Sequence, residues 1–191
     1  ASSEQFSTPG NVLDADYEFG AVVTIAPAGG LLLATATKGT TWGARANGGG
    51  FDVAISHVPV PGSTKGVTSS QWMAQLGSDS NDTIAVTQSD SKNNTYVYGS
   101  TTGVIEPGRT VDAYNDLFLA KYGPSGDLLW VRQFGSGDED DPSTQIAVRP
   151  NGDVYVSGFT YGAFPGTTNA GTGGAHPRSS DVFLAKFTSS G

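Results

Sequence analysis

The feature that most constrains this chain is self-similarity. Three segment classes recur along it. The first reads TIAPAGGLLLATAT, then TIAVTQSDSKNNTYVYGST, then QIAVRPNGDVYVSGFT, with Val23, Ile84 and Ile146 at matching places, 61 and 62 residues apart. The second reads FDVAISHV, DLFLAKY and DVFLAKF, with Asp52, Asp116 and Asp181 spaced by 64 and 65. The third reads QWMAQLG and LWVRQFG, aligning Trp72 with Trp130 and Gln75 with Gln133. A period of this length describes one supersecondary unit that cannot bury its apolar face alone and must stack on its neighbours.

Each segment is five to eight residues long, rich in Val, Ile, Tyr and Phe, and bounded by Gly, Pro, Asn or Ser. These are strand signals. Asn151-Gly152, Ser125-Gly126 and Ala28-Gly29-Gly30 lie between apolar runs and predict tight turns. No segment sustains a helical period with caps. The chain is therefore expected to be all-β. One repeat supplies four strands in an antiparallel meander, and radial stacking of such meanders predicts a β-propeller-like fold of about three blades, partial or open. The expected division is an N-terminal strand and linker over 1–20, a first repeat over 21–82, a second over 83–144, and a third over 145–191 that lacks its last strand.

Composition agrees. The 27 glycines among 191 residues suit a chain with many turns. Lys and Arg total 10 against 18 Asp and Glu, a net charge of -8, which argues against nucleic acid and anionic lipid as partners. With no cysteine, the chain has no disulfide, thiolate metal site or cysteine nucleophile. No apolar run approaches the ~20 residues of a membrane helix, so membrane insertion is not expected.

The stretch DLFLAKYGPSGDLLWVRQFGSGDEDDPSTQIAVRPNGDVYVSGFTYGAFPG, residues 116–166, resembles the SBBP repeat, a β-propeller repeat of secreted and surface proteins. Residues 72–101 resemble a degraded copy, and 21–58 match weakly, with His57 where Lys121 and Lys186 stand later. The resemblance implies a propeller and an extracellular or cell-surface location. It implies little chemistry.

The third repeat stops after DVFLAKFTSSG. Its predecessor DLFLAKYGPSG runs on into the Trp-bearing fourth strand. An unpaired edge at Val182 and Leu184 is the expected interface. Gln5-Phe6 fits the Gln133-Phe134 place of a fourth strand, so that segment, another copy of the chain or the rest of a longer chain is the expected partner.

Chemical sites are sparse. The turns leading into each first strand are acidic: Asp14, Asp16 and Glu18; Asp79, Asn81 and Asp82; Asp138, Glu139, Asp140 and Asp141. Such oxygen-rich turns could hold Ca²⁺, with Asp138, Asp140 and Asp141 the best set. Asp and Asn that bond their own backbone explain the same residues. His57 and His176 show no metal-binding spacing, and His57 is expected to point to solvent. No nucleophile elbow or phosphate loop is present, so an enzyme is not expected. Trp72 and Trp130 are expected to pack between blades. Trp42 with Arg45 is a candidate anchor for glycan or protein. The long loops 38–50, 100–115 and 161–180 are expected to be mobile or to face a ligand. The expected function is a non-catalytic structural or adhesive module. The alternative is a ligand-binding propeller that presents its loops.

Overall fold

The computed structural model describes residues 18–27, 29–38, 48–58, 72–110, 114–168 and 179–191. Every regular element among them is a β-strand. The strands are β1 Glu18–Ile25, β2 Leu31–Thr37, β3 Asp52–Val58, β4 Trp72–Leu76, β5 Asp82–Ser89, β6 Thr95–Thr101, β7 Asp116–Tyr122, β8 Leu128–Phe134, β9 Asp140–Val148, β10 Val154–Thr160 and β11 Asp181–Phe187. They form three antiparallel sheets in meander order: β1-β2-β3-β4, β5-β6-β7-β8 and β9-β10-β11. None of these sheets closes on itself. The all-β expectation holds, and each sheet is built from strands consecutive in the chain.

Local chemistry sets the hairpins. In β1–β2, β5–β6, β7–β8 and β9–β10 the turn is closed by the same pair of backbone bonds. Gly29 N–H donates to Ala26 O, Asn93 to Asp90 O, Gly126 to Gly123 O and Gly152 to Arg149 O, at 2.8–3.0 Å. The donor in each turn has positive φ, from 62° at Asn93 to 88° at Gly126. Glycine adopts that conformation without a Cβ clash, and Asn tolerates it. Thr188–Gly191 repeats the turn, with Gly191 at φ 92°.

The repeat alignment needs one correction. Opposite Leu33 stands Val23 and opposite Val156 stands Ile146, but opposite Val97 stands Thr87. Ile84 lies three residues earlier, opposite Gly99. The IAV motifs look alike, yet the register is set by the connection and by bulges of different size, between Ile84 and Val86 in β5 and between Pro142 and Ile146 in β9.

The sheets stack face to face. Leu32, Val53, Ile55 and Leu76 of the first meet Val97, Phe118, Ala120 and Tyr122 of the second. The opposite face of the second carries Tyr96, Tyr98, Leu117 and Leu119, which meet Val154, Val156, Phe183 and Phe187 of the third. Because side chains alternate along a strand, β7 is buried on both faces, and every one of its residues is buried. The two outer sheets each have one face turned away from the stack. Val23 and Ile25 are exposed on the first, and Phe159, Val182 and Leu184 on the third.

Candidate functional site

The polar residues that recur in the repeats converge at the joints between sheets. At the first joint Gln75 Nε2 donates to Asp52 Oδ2 at 2.8 Å. At the second, Gln133 Nε2 donates to Asp116 Oδ2 at 2.8 Å. Gln133 also donates to Gly103 O at 3.0 Å and accepts from Ile105 N–H at 2.9 Å. One amide therefore ties the fourth strand of a sheet to its third strand and to the loop between β6 and β7. Gly77 and Gly135 follow two residues after these glutamines, and a Cβ on either would overlap the neighbouring Asp carboxylate.

The chain then crosses to the next sheet through a Ser-x-x-x-Asp turn. Asp82 accepts from Ser78 N–H at 2.6 Å and Ser78 Oγ at 3.0 Å. Asp140 accepts from Ser136 N–H at 2.7 Å and Ser136 Oγ at 3.2 Å. Backbone bonds reach back to the preceding sheet, from Asp82 N–H to Phe51 O and from Asp140 N–H to Asn115 O. Burial pushes the Asp82 carboxyl up to about 6, against the pull of its Thr101 and Ser78 bonds, with Asp52 adding to the rise. Burial raises Asp140 as well, and Asp116 contributes. Low local dielectric penalises the ionised form of each.

This geometry places the expected calcium residues. Asp140 is fully buried and faces Ser136. Asp141, next along β9, is exposed on the other side of the strand. Asp138 Oδ1 accepts from Glu139 N–H at 2.8 Å. Their carboxylates point to different places, and within the turn Ser136 N–H is taken by Asp140, Glu139 N–H by Asp138 and Asp138 N–H by Ser136 Oγ. Among the described residues no group of three or more His, Asp or Glu could hold a metal ion.

The tryptophans couple sheets. Trp72 is buried, stacks on His57 at 6.1 Å and on Tyr122 of the second sheet at 6.0 Å. Gly126 of the second sheet sits against it. Trp130 is half-buried beside Gly191 of the third repeat, and its Nε1 donates to Ser189 O at 3.2 Å. His57 does not point to solvent as expected; it is buried. Lys121, its counterpart, is also buried, with Nζ donating to Ser189 O at 3.2 Å. The next repeat's turn reaches Lys121 and the Trp72 ring lies over His57, which periodicity within one strand does not reveal.

The loop after β6 is not loose either. Glu106 accepts from Gln133 N–H at 2.7 Å and pairs with Arg132 at 3.4 Å. Phe164, in the loop after β10, packs on Phe183 at 4.9 Å and Phe134 at 6.3 Å.

The expected interface is open at one end. β11 pairs with β10 and with no other described strand. Val182 and Leu184 are 74% and 73% exposed. A groove of about 570 Å³ runs beside them, lined by Phe134, Gly162, Phe164, Asp181, Phe183 and Ala185 among others. Gln5, Phe6, Asp14, Asp16, Trp42, Arg45 and His176 lie outside the described residues. Sequence reasoning aligned Gln75 with Gln133 but assigned them no role. Their signal was the shared spacing to Ser78-x-x-x-Asp82 and Ser136-x-x-x-Asp140.

Compared with known proteins, the chain matches no family model and no curated sequence.

Proposed function

We propose that the chain is a non-catalytic structural or adhesive extracellular module that works through strand edges and sheet-to-sheet stacking. In this reading its three sheets are consecutive blades of a propeller-type array. The array continues through other copies of the chain or through the rest of a longer one. The exposed outer face of β11 carries the reading. Val182 and Leu184 occupy the places of Leu117 and Leu119, which are fully buried by the next sheet. Apolar side chains repeated at a stacking position but left in water mark an interaction surface. The resemblance of residues 116–166 to SBBP repeats supports both the array and the extracellular setting.

Sedimentation of the chain, with calcium and then with chelator, tests the reading. The expected result is a mass above the 19.6 kDa of one chain that returns to one chain in Leu184→Arg. A shift on chelation would place calcium in the contact. A wild-type monomer at all concentrations overturns self-association.

A further inference from the structure

The two sheets with a fourth strand show how that strand is recognised, and the third sheet presents the same recognition groups. In the second sheet Gln133 stands opposite Phe118 and its side chain reaches three groups: Asp116 Oδ2, Gly103 O and Ile105 N–H. Each group has a counterpart fixed by register. Thr101 pairs with Asp116 in the second sheet as Thr160 pairs with Asp181 in the third. The hydroxyl of Thr101 donates to Gly103 O and accepts from Gly103 N–H; Thr160 does the same with Gly162, at 3.2 Å. Phe164 follows Thr160 by the interval at which Ile105 follows Thr101. Asp181, Gly162 and Phe164 all line the groove beside β11.

The groove walls match the rest of such a strand. Val131, inward-facing on β8, stands opposite Ala120, whose counterpart Ala185 lines the groove. Trp130 stands opposite Lys121, whose counterpart is Lys186. A volume of about 570 Å³ holds several side chains of this size.

We propose that the outer edge of β11 is a strand-acceptor site keyed to glutamine. It takes, from a partner polypeptide, an antiparallel extended segment of the pattern Trp-apolar-x-Gln-aromatic. The glutamine amide seats on Asp181, the Gly162 carbonyl and the Phe164 N–H, while backbone bonds along β11 supply affinity and the amide supplies register. This deepens the proposed interface function and rests on it for biological meaning, though the site itself stands on the repeat geometry.

The probe is a fluorescein-labelled peptide of residues 127–136, DLLWVRQFGS, titrated into the 191-residue chain and followed by anisotropy. Saturable one-to-one binding is expected, with slowed hydrogen exchange confined to β11 and the groove. Gln133→Ala in the peptide should weaken binding at least tenfold. Asp181→Ala in the chain should do the same. Ala185→Arg, which fills the groove, guards against an effect of Asp181 on folding, since protection in β9 and β10 reports the intact sheet. Absence of saturable binding up to millimolar peptide overturns the site, and so does binding indifferent to Gln133→Ala. Protection of the outward β11 amides before peptide is added also overturns it, because the chain then fills its own edge. Peptide binding by a chain that sediments as a monomer supports the acceptor site and removes self-association. Self-association without peptide binding does the reverse.

Discussion

Leu119 and Leu184 are the same residue at the same place in successive sheets, and one is fully buried while the other is 73% exposed. Both face the direction in which the next sheet would stack, and only Leu119 has one there among the described residues. Truncation should separate them. Leu119→Ala should cost about 2–5 kcal/mol in urea denaturation, the transfer loss plus the cavity left behind. Leu184→Ala should stay within about 0.5 kcal/mol when the chain is diluted below the concentration at which it self-associates. An equal, large loss in both would show that Leu184 is covered in solution.

Gln133 should matter more than a neutral side chain usually does. Gln133→Ala leaves the Asp116 carboxylate and the Ile105 N–H without their amide partner in a buried joint. The expected loss is about 2–4 kcal/mol. Gln133→Glu should be worse at pH 7 than at pH 5, since it sets a second carboxylate against Asp116. Chemical unfolding at the two pH values checks both.

Acid should stabilise the joints over a defined window. The Asp82 carboxyl titrates at about 6 in the folded chain and at 3.8 by itself. The folded state therefore binds the proton more tightly. Its contribution is full below 3.8 and is lost as pH rises through about 6. Stability should rise on going from pH 7 to pH 4.5, by on the order of 2 kcal/mol. Asp140 is raised in the same sense. Asp153 is shifted the other way, downward by its bond to Lys186, so its contribution is lost only below the usual carboxylate range. Asp82→Asn should flatten the rise, and thermal melts across this range give the comparison.

Two glycines with the same backbone twist should respond differently to alanine. Gly126 has φ 88° and a Cβ there would lie 2.7 Å from the Trp72 ring. Gly108 has φ 87° and open space around it. Gly108→Ala carries only the left-handed strain, about 1 kcal/mol. Gly126→Ala adds a clash with a buried ring of the preceding sheet, and about 3 kcal/mol is expected. Trp72 fluorescence should shift in Gly126→Ala and not in Gly108→Ala.

The strands, their meander order and the hairpin turns were legible in the residues because each depends on near neighbours. Alternating Val, Tyr and Phe make a pleat, and Gly29, Gly126 and Gly152 admit the left-handed step that reverses it. The repeat also marked Asp52 as the equivalent of Asp116 and Gln75 as the equivalent of Gln133. What these residues do was not legible. His57 reads as a surface strand residue until Trp72, itself packed on Tyr122 of the second sheet, is seen stacked on it. Asp140 reads as either a cation ligand or a turn residue until Ser136 is seen bonding it from four residues back. Ile84 reads as the equivalent of Ile146 until the pairing sets Ile84 opposite Gly99 and Ile146 opposite Val156. Local pattern determines which way a side chain points along its own strand. Only the stacking of one sheet on the next decides whether that direction leads to water, to a carboxylate or to a ring, because burial and electrostatics belong to the neighbouring sheet and not to the strand.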